Sequence, residues 1–136
     1  MSGARNLKTY RVTAPDFDDA EVTLDVDHAV LTPELATEIN QFSGSAMARV
    51  RLSEQRNDVV ATVIRLFGAN AISYFFGTGG ADLVTHRVED SERWTQRVIA
   101  AQCEGWPDFK ALGIRIKTAL VVAPGFLEVQ LEEATA

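Results

Sequence analysis

Glu21-Val-Thr-Leu-Asp-Val-Asp27 decides the fold. Val22, Leu24 and Val26 alternate with Glu21, Thr23, Asp25 and Asp27, so a period of two puts all apolar side chains on one face. That pattern predicts a half-buried strand. Upstream, residues 7–13 predict a second strand, with Tyr10 and Val12 inward alongside Lys8. Ala14-Pro-Asp-Phe-Asp-Asp19 between them has turn chemistry, because proline presets φ and aspartate accepts local backbone N–H bonds. A connection this short makes the pair an antiparallel hairpin.

Thr32-Pro-Glu-Leu35 has the signature of a helix start: threonine at the cap, proline at the first helical position and glutamate near the positive end of the dipole. Leu35, Ile39 and Phe42 form its apolar stripe and Gly44 stops it. A second helix is expected from a Ser53 cap to about Phe76, apolar nearly all round. Arg65 inside that run costs about 2.5–3.5 kcal/mol at a bilayer centre, so a buried core or oligomer contact is preferred to a membrane span. Gly77-Thr-Gly-Gly80 terminates it, and shorter helices are expected over residues 82–88 and 91–102. Residues 113–122 and 127–132 read as two further strands, with Ile114 and Ile116 inward and Arg115 and Lys117 outward in the first. The order is ββ-helices-ββ. It predicts an α+β fold with residues 1–136 as one domain, an antiparallel sheet from an N-terminal and a C-terminal β-hairpin, and helices on one face.

With 136 residues, 46% hydrophobic and 24% charged, the composition excludes a wholly disordered chain and a disulfide scaffold. The single cysteine and an N-terminus without an apolar run make a cytoplasmic location the expectation. The net charge of −6 is unevenly spread. Residues 12–48 hold eight acids and no Lys or Arg, whereas residues 49–136 hold ten bases and eleven acids. Direct nucleic-acid binding through Arg49, Arg51, Arg56 and Arg65 is therefore the least favoured of the binding modes.

The acid-rich hairpin is the best-motivated surface: Asp16, Asp18, Asp19, Glu21, Asp25 and Asp27. On the second strand its carboxylates recur at roughly 6.6–6.8 Å intervals or multiples of them. That pitch resembles a row of phosphates and suits the basic groove of a nucleic-acid-binding protein. The ordinary structural reading is a solvated strand face partly neutralised by Lys8, Arg11 or Lys117. An EF-hand begun at Asp16 fails at Ala20 and Glu21, where a ligand and a glycine are required. No metal pattern, cofactor motif or nucleophile elbow is present. Cys103 follows Ile99-Ala-Ala-Gln and reads as a small buried hydrophobe. His86, Trp94 and Trp106 are the alternative, lining a pocket between sheet and helices for a small enzyme or ligand-binding domain.

Leu31-Thr-Pro-Glu-Leu-Ala-Thr-Glu-Ile-Asn-Gln-Phe42, Glu104-Gly-Trp-Pro107 and Gly113-Ile-Arg-Ile116 resemble a small bacterial family catalogued only as a domain of unknown function. The resemblance spans about Tyr10 to Glu132; Gly68 and Tyr74-Phe-Phe76 make the second helix more apolar than that group's. It implies no reaction and no catalytic residues, but it implies a mobile-element context, where small accessory proteins act on host machinery. The expectation is a non-enzymatic protein that binds a protein partner, in its boldest form an acidic inhibitor imitating nucleic acid. A homodimer through the second helix is a further expectation, with no membrane partner.

Overall fold

A computed structural model describes residues 6–42, 58–123 and 130–133. Among these residues four strands form one antiparallel sheet in the order β1-β2-β4-β3: β1 (Leu7–Ala14), β2 (Ala20–Asp27), β3 (Gly80–Val84) and β4 (Ile114–Val122). Among the described residues the helices are α1 (Pro33–Phe42), α2 (Val59–Gly77), α3 (Val88–Gln102) and the single turn α4 (Phe109–Leu112). The fold is thus α+β, with strands towards both ends and helices between.

The period-two reading of β2 holds residue by residue. Ala20, Val22, Leu24 and Val26 are fully buried, and Glu21, Thr23, Asp25 and Asp27 face the other way. On β4, Ile114, Ile116, Ala119 and Val121 join the same core. Across this face runs α2, whose Val63, Phe67, Ala71 and Phe75 are buried against it. By length and mean hydropathy (1.6) α2 passes as a membrane span, and 44% of that window is buried within the fold. A Cβ on Gly68 would lie 2.6 Å from the Val12 side chain, so glycine is what lets α2 seat directly on β1.

Caps follow local chemistry. Thr32 Oγ1 accepts from the Leu35 N–H at 3.2 Å, starting α1 as its sequence predicts. The described part of α2 begins one residue after Asp58, whose carboxylate accepts from the Ala61 N–H at 2.9 Å; Ser53 lies outside the described residues.

One expected element is corrected. Residues 80–84 form a strand, and no helix covers 82–88 until α3 begins at Val88. Val84 and Val88 stand four apart and suggest a helical face. Gly79 and Gly80, at φ 101° and 100°, instead fold the chain back from α2 into a five-residue edge strand. This strand takes the position beside β4 assigned above to residues 127–132. Of that segment, residues 127–129 lie outside the described residues, and Gln130–Glu133 form no strand.

Candidate functional site

Folding divides the acidic hairpin into two ends. At its turn, Asp16 sits in a 3-10 turn (Pro15–Phe17), and Asp18 and Asp19 adopt left-handed φ values of 56° and 55°. Aspartate tolerates that region better than most residues. All three carboxylates are exposed, and none has an ion-pair partner among the described residues. Glu21, next along, lies 3.8 Å from Arg11 Nε.

At the hairpin's base the acids are engaged. Asp25 accepts the Thr9 hydroxyl at 2.7 Å and stands opposite Arg115 in the ladder. Asp27 Oδ1 accepts the N–H groups of Ala29 at 3.0 Å and Asn6 at 3.3 Å, closing the turn after β2. The row on β2 is therefore not a uniform ladder of free carboxylates. Among the described residues no three His, Cys, Asp or Glu side chains converge to hold a metal ion.

The turn end has a neighbour that sequence reasoning missed. An apolar groove of about 320 Å³ lies between the inner side of β1, the turn and the last turns of α2, lined by Val12, Ala14, Phe17, Ile72 and Phe76. Phe17 is 60% exposed and Phe76 45%, so two aromatic rings flank the groove without burying themselves. The available signal was one residue: a phenylalanine inside an otherwise acidic turn.

The alternative pocket does not assemble. Trp94 packs on Phe75 (ring centroids 5.6 Å) beneath the Arg97 guanidinium, because the α3 period turns it towards the core with Val98. Trp106 packs near Phe67 (6.1 Å) and lines a separate cavity with Leu35 and Ile39. His86 is exposed in the loop before α3, beside a small cleft that Asp25 also lines. Gly77–Gly80 ends α2, as its sequence predicts, and leads into β3. Arg49, Arg51 and Arg56 lie outside the described residues.

Cys103 is buried, and burial pushes its thiol up to about 11, against a lowering from the Asn70 amide that donates to Sγ at 3.3 Å. A thiol held protonated in this way is a packing group rather than a nucleophile.

The molecule is thus a small α+β protein with a helix-covered antiparallel sheet. The family model described as "Protein of unknown function (DUF2528)" matches residues 21–131, and the chain belongs to that family. No curated protein and no solved structure matches the chain.

Proposed function

We propose that the protein is a non-enzymatic binding module that docks a protein partner at the turn end of its N-terminal hairpin. The observation that carries this reading is the exposed Phe17, set between Asp16 and Asp18 and opening onto the groove bounded by Phe76 and Ile72. An apolar pocket with an aromatic wall and a charged rim is the anatomy of a protein-binding hot spot. The partner's surface is basic, to match Asp16, Asp18 and Asp19, and presents an apolar side chain to the groove. A second copy of this chain is a poor occupant, since its own acidic turn would meet like charge.

The bolder version, an inhibitor imitating nucleic acid, rests on the turn-end carboxylates alone, because Asp25 and Asp27 already serve neighbouring groups. A host nucleic-acid-binding protein has the right sign of charge for that role.

The test compares wild type with Ser73→Phe, which fills the groove from an exposed helix position, and with Asp16/Asp18/Asp19→Asn. Captured host proteins are identified and their association with each purified variant is measured at low and high salt. Groove filling abolishes binding, and charge removal slows association while flattening its salt dependence. A partner retained at equal affinity and rate by both variants overturns the reading.

A further inference from the structure

β4 carries one residue more than β2 accommodates. Thr23 pairs with Thr118 and Leu24 with Ile116, which leaves Lys117 as a bulge. A bulge re-aims side chains and leaves backbone groups to be satisfied by other partners. Three hydroxyls do so here. Thr85 Oγ1 donates to the carbonyls of Lys117 at 2.9 Å and Ile116 at 3.2 Å. Buried Ser91 donates to the Ile116 carbonyl at 2.6 Å. Buried Thr95 accepts the Ile116 N–H at 2.9 Å while donating to the Ser91 carbonyl at 2.7 Å. The junction of β4, the loop after β3 and the start of α3 is thereby tied together.

Above this junction opens a cleft of about 130 Å³, lined by Asp25, Thr85, His86, Arg87, Arg115 and Lys117 among others. Three permanent cations meet one carboxylate, and that carboxylate is held by Thr9. Among the described residues neither Arg115 nor Lys117 has an ion-pair partner, and Arg87 has only Glu89 at 3.9 Å with both side chains largely exposed. Gathering these cations, two of them without an ion-pair partner among the described residues, costs repulsion that a bound anion would offset.

The geometry points to a binding site for a phosphate group in this cleft. Size excludes a whole cofactor, since such pockets run about 300–1,000 Å³. Chemistry favours the group: a phosphate monoester carries about −1.5 to −2 near pH 7 and offers three strong acceptor oxygens, enough to engage Arg115, Lys117 and Arg87 together, where a carboxylate offers two. Arg115 supplies a planar fork suited to phosphate oxygens, and Lys117 and Arg87 close the sides. The phosphate is either free or carried on a serine side chain. The site is independent of the turn-end groove.

The experiment titrates the isotopically labelled protein with inorganic phosphate and, separately, with O-phosphoserine at constant ionic strength, following backbone amide resonances. Saturable shifts at Thr85, Arg87, Arg115 and Lys117 are expected; the tighter of the two probes identifies the source. Arg87→Gln with Lys117→Gln, both exposed positions, weakens binding by at least about tenfold. Asp16/Asp18/Asp19→Asn leaves it unchanged. Shifts that never saturate or scatter over the surface (an adventitious ion only), or equal affinity in the Arg87/Lys117 variant, overturn the proposal.

Discussion

The two ends of the β1–β2 hairpin are built from the same acidic stretch and carry opposite chemistry. At the turn, Asp16, Asp18 and Asp19 are exposed, with no cation from β3 or β4 beside them in the ladder. At the base, Asp25 and Asp27 are spent on Thr9, Asn6 and Ala29, and distant segments deliver Arg87, Arg115 and Lys117 to the same place. Charge along a chain therefore predicts charge on a surface only where no other strand or helix packs alongside. The turn projects beyond its neighbours and keeps its sequence character; the base lies inside the sheet and loses it.

The largest expected effect removes what both ends share. Phe67 is fully buried on α2, between the sheet and Trp106. Phe67→Ala should cost about 3–5 kcal/mol in chemical denaturation, and one cooperative transition should report both ends. Two separated transitions, one for each end, would show that the hairpin's ends do not rest on a common core.

Thr95→Val should separate the ends. It preserves volume but leaves the buried Ile116 N–H without its acceptor, at a cost of about 1–3 kcal/mol. Hydrogen exchange should accelerate at Ile116, Lys117 and Thr85, relative to the global change, while amides around Phe17 move only with global stability. Equal local acceleration at the turn would break the separation.

Asp27→Ala against Asp16→Ala sharpens the contrast among the carboxylates. The first removes an acceptor for two backbone N–H groups and should cost about 1 kcal/mol; the second, on an exposed turn, should stay within about 0.5 kcal/mol. Thermal unfolding of the two single variants measures the difference, and equal losses would mean that Asp27 is no more structural than Asp16.

Much of this architecture was legible in the sequence. β2 declared itself by alternation, and α1 by Thr32 and Pro33, because both signals act within a few residues. β3 was misread because five residues give too few alternations to outweigh one pair of valines at helical spacing, and the Gly79–Gly80 reversal acts through backbone angles. The acids of the hairpin were visible as a run. Which of them remain free was not, since Asp25 is engaged by Thr9, sixteen residues away. The phosphate cleft was invisible for the same reason, its cations meeting only once α3 and β4 have packed.

The effect confined to alkaline pH belongs to the core between the two ends, and its sign follows from linkage. Cys103 titrates near 11 when folded, against 9.0 for an unperturbed thiol. The folded state therefore holds this proton where the unfolded chain releases it. The resulting contribution is fully present below pH 9 and is lost as the pH rises towards 11. Cys103→Ala should remove that part of the alkaline slope in a pH series of denaturation midpoints, although the cavity it leaves lowers the whole curve. The turn-end variant Asp16/Asp18/Asp19→Asn should leave the same slope untouched, because it keeps the buried thiol and its Asn70 donor in place. A Cys103→Ala curve parallel to wild type from pH 8 to 11 would place the thiol in contact with water and undo its assignment to the dry core that both ends share.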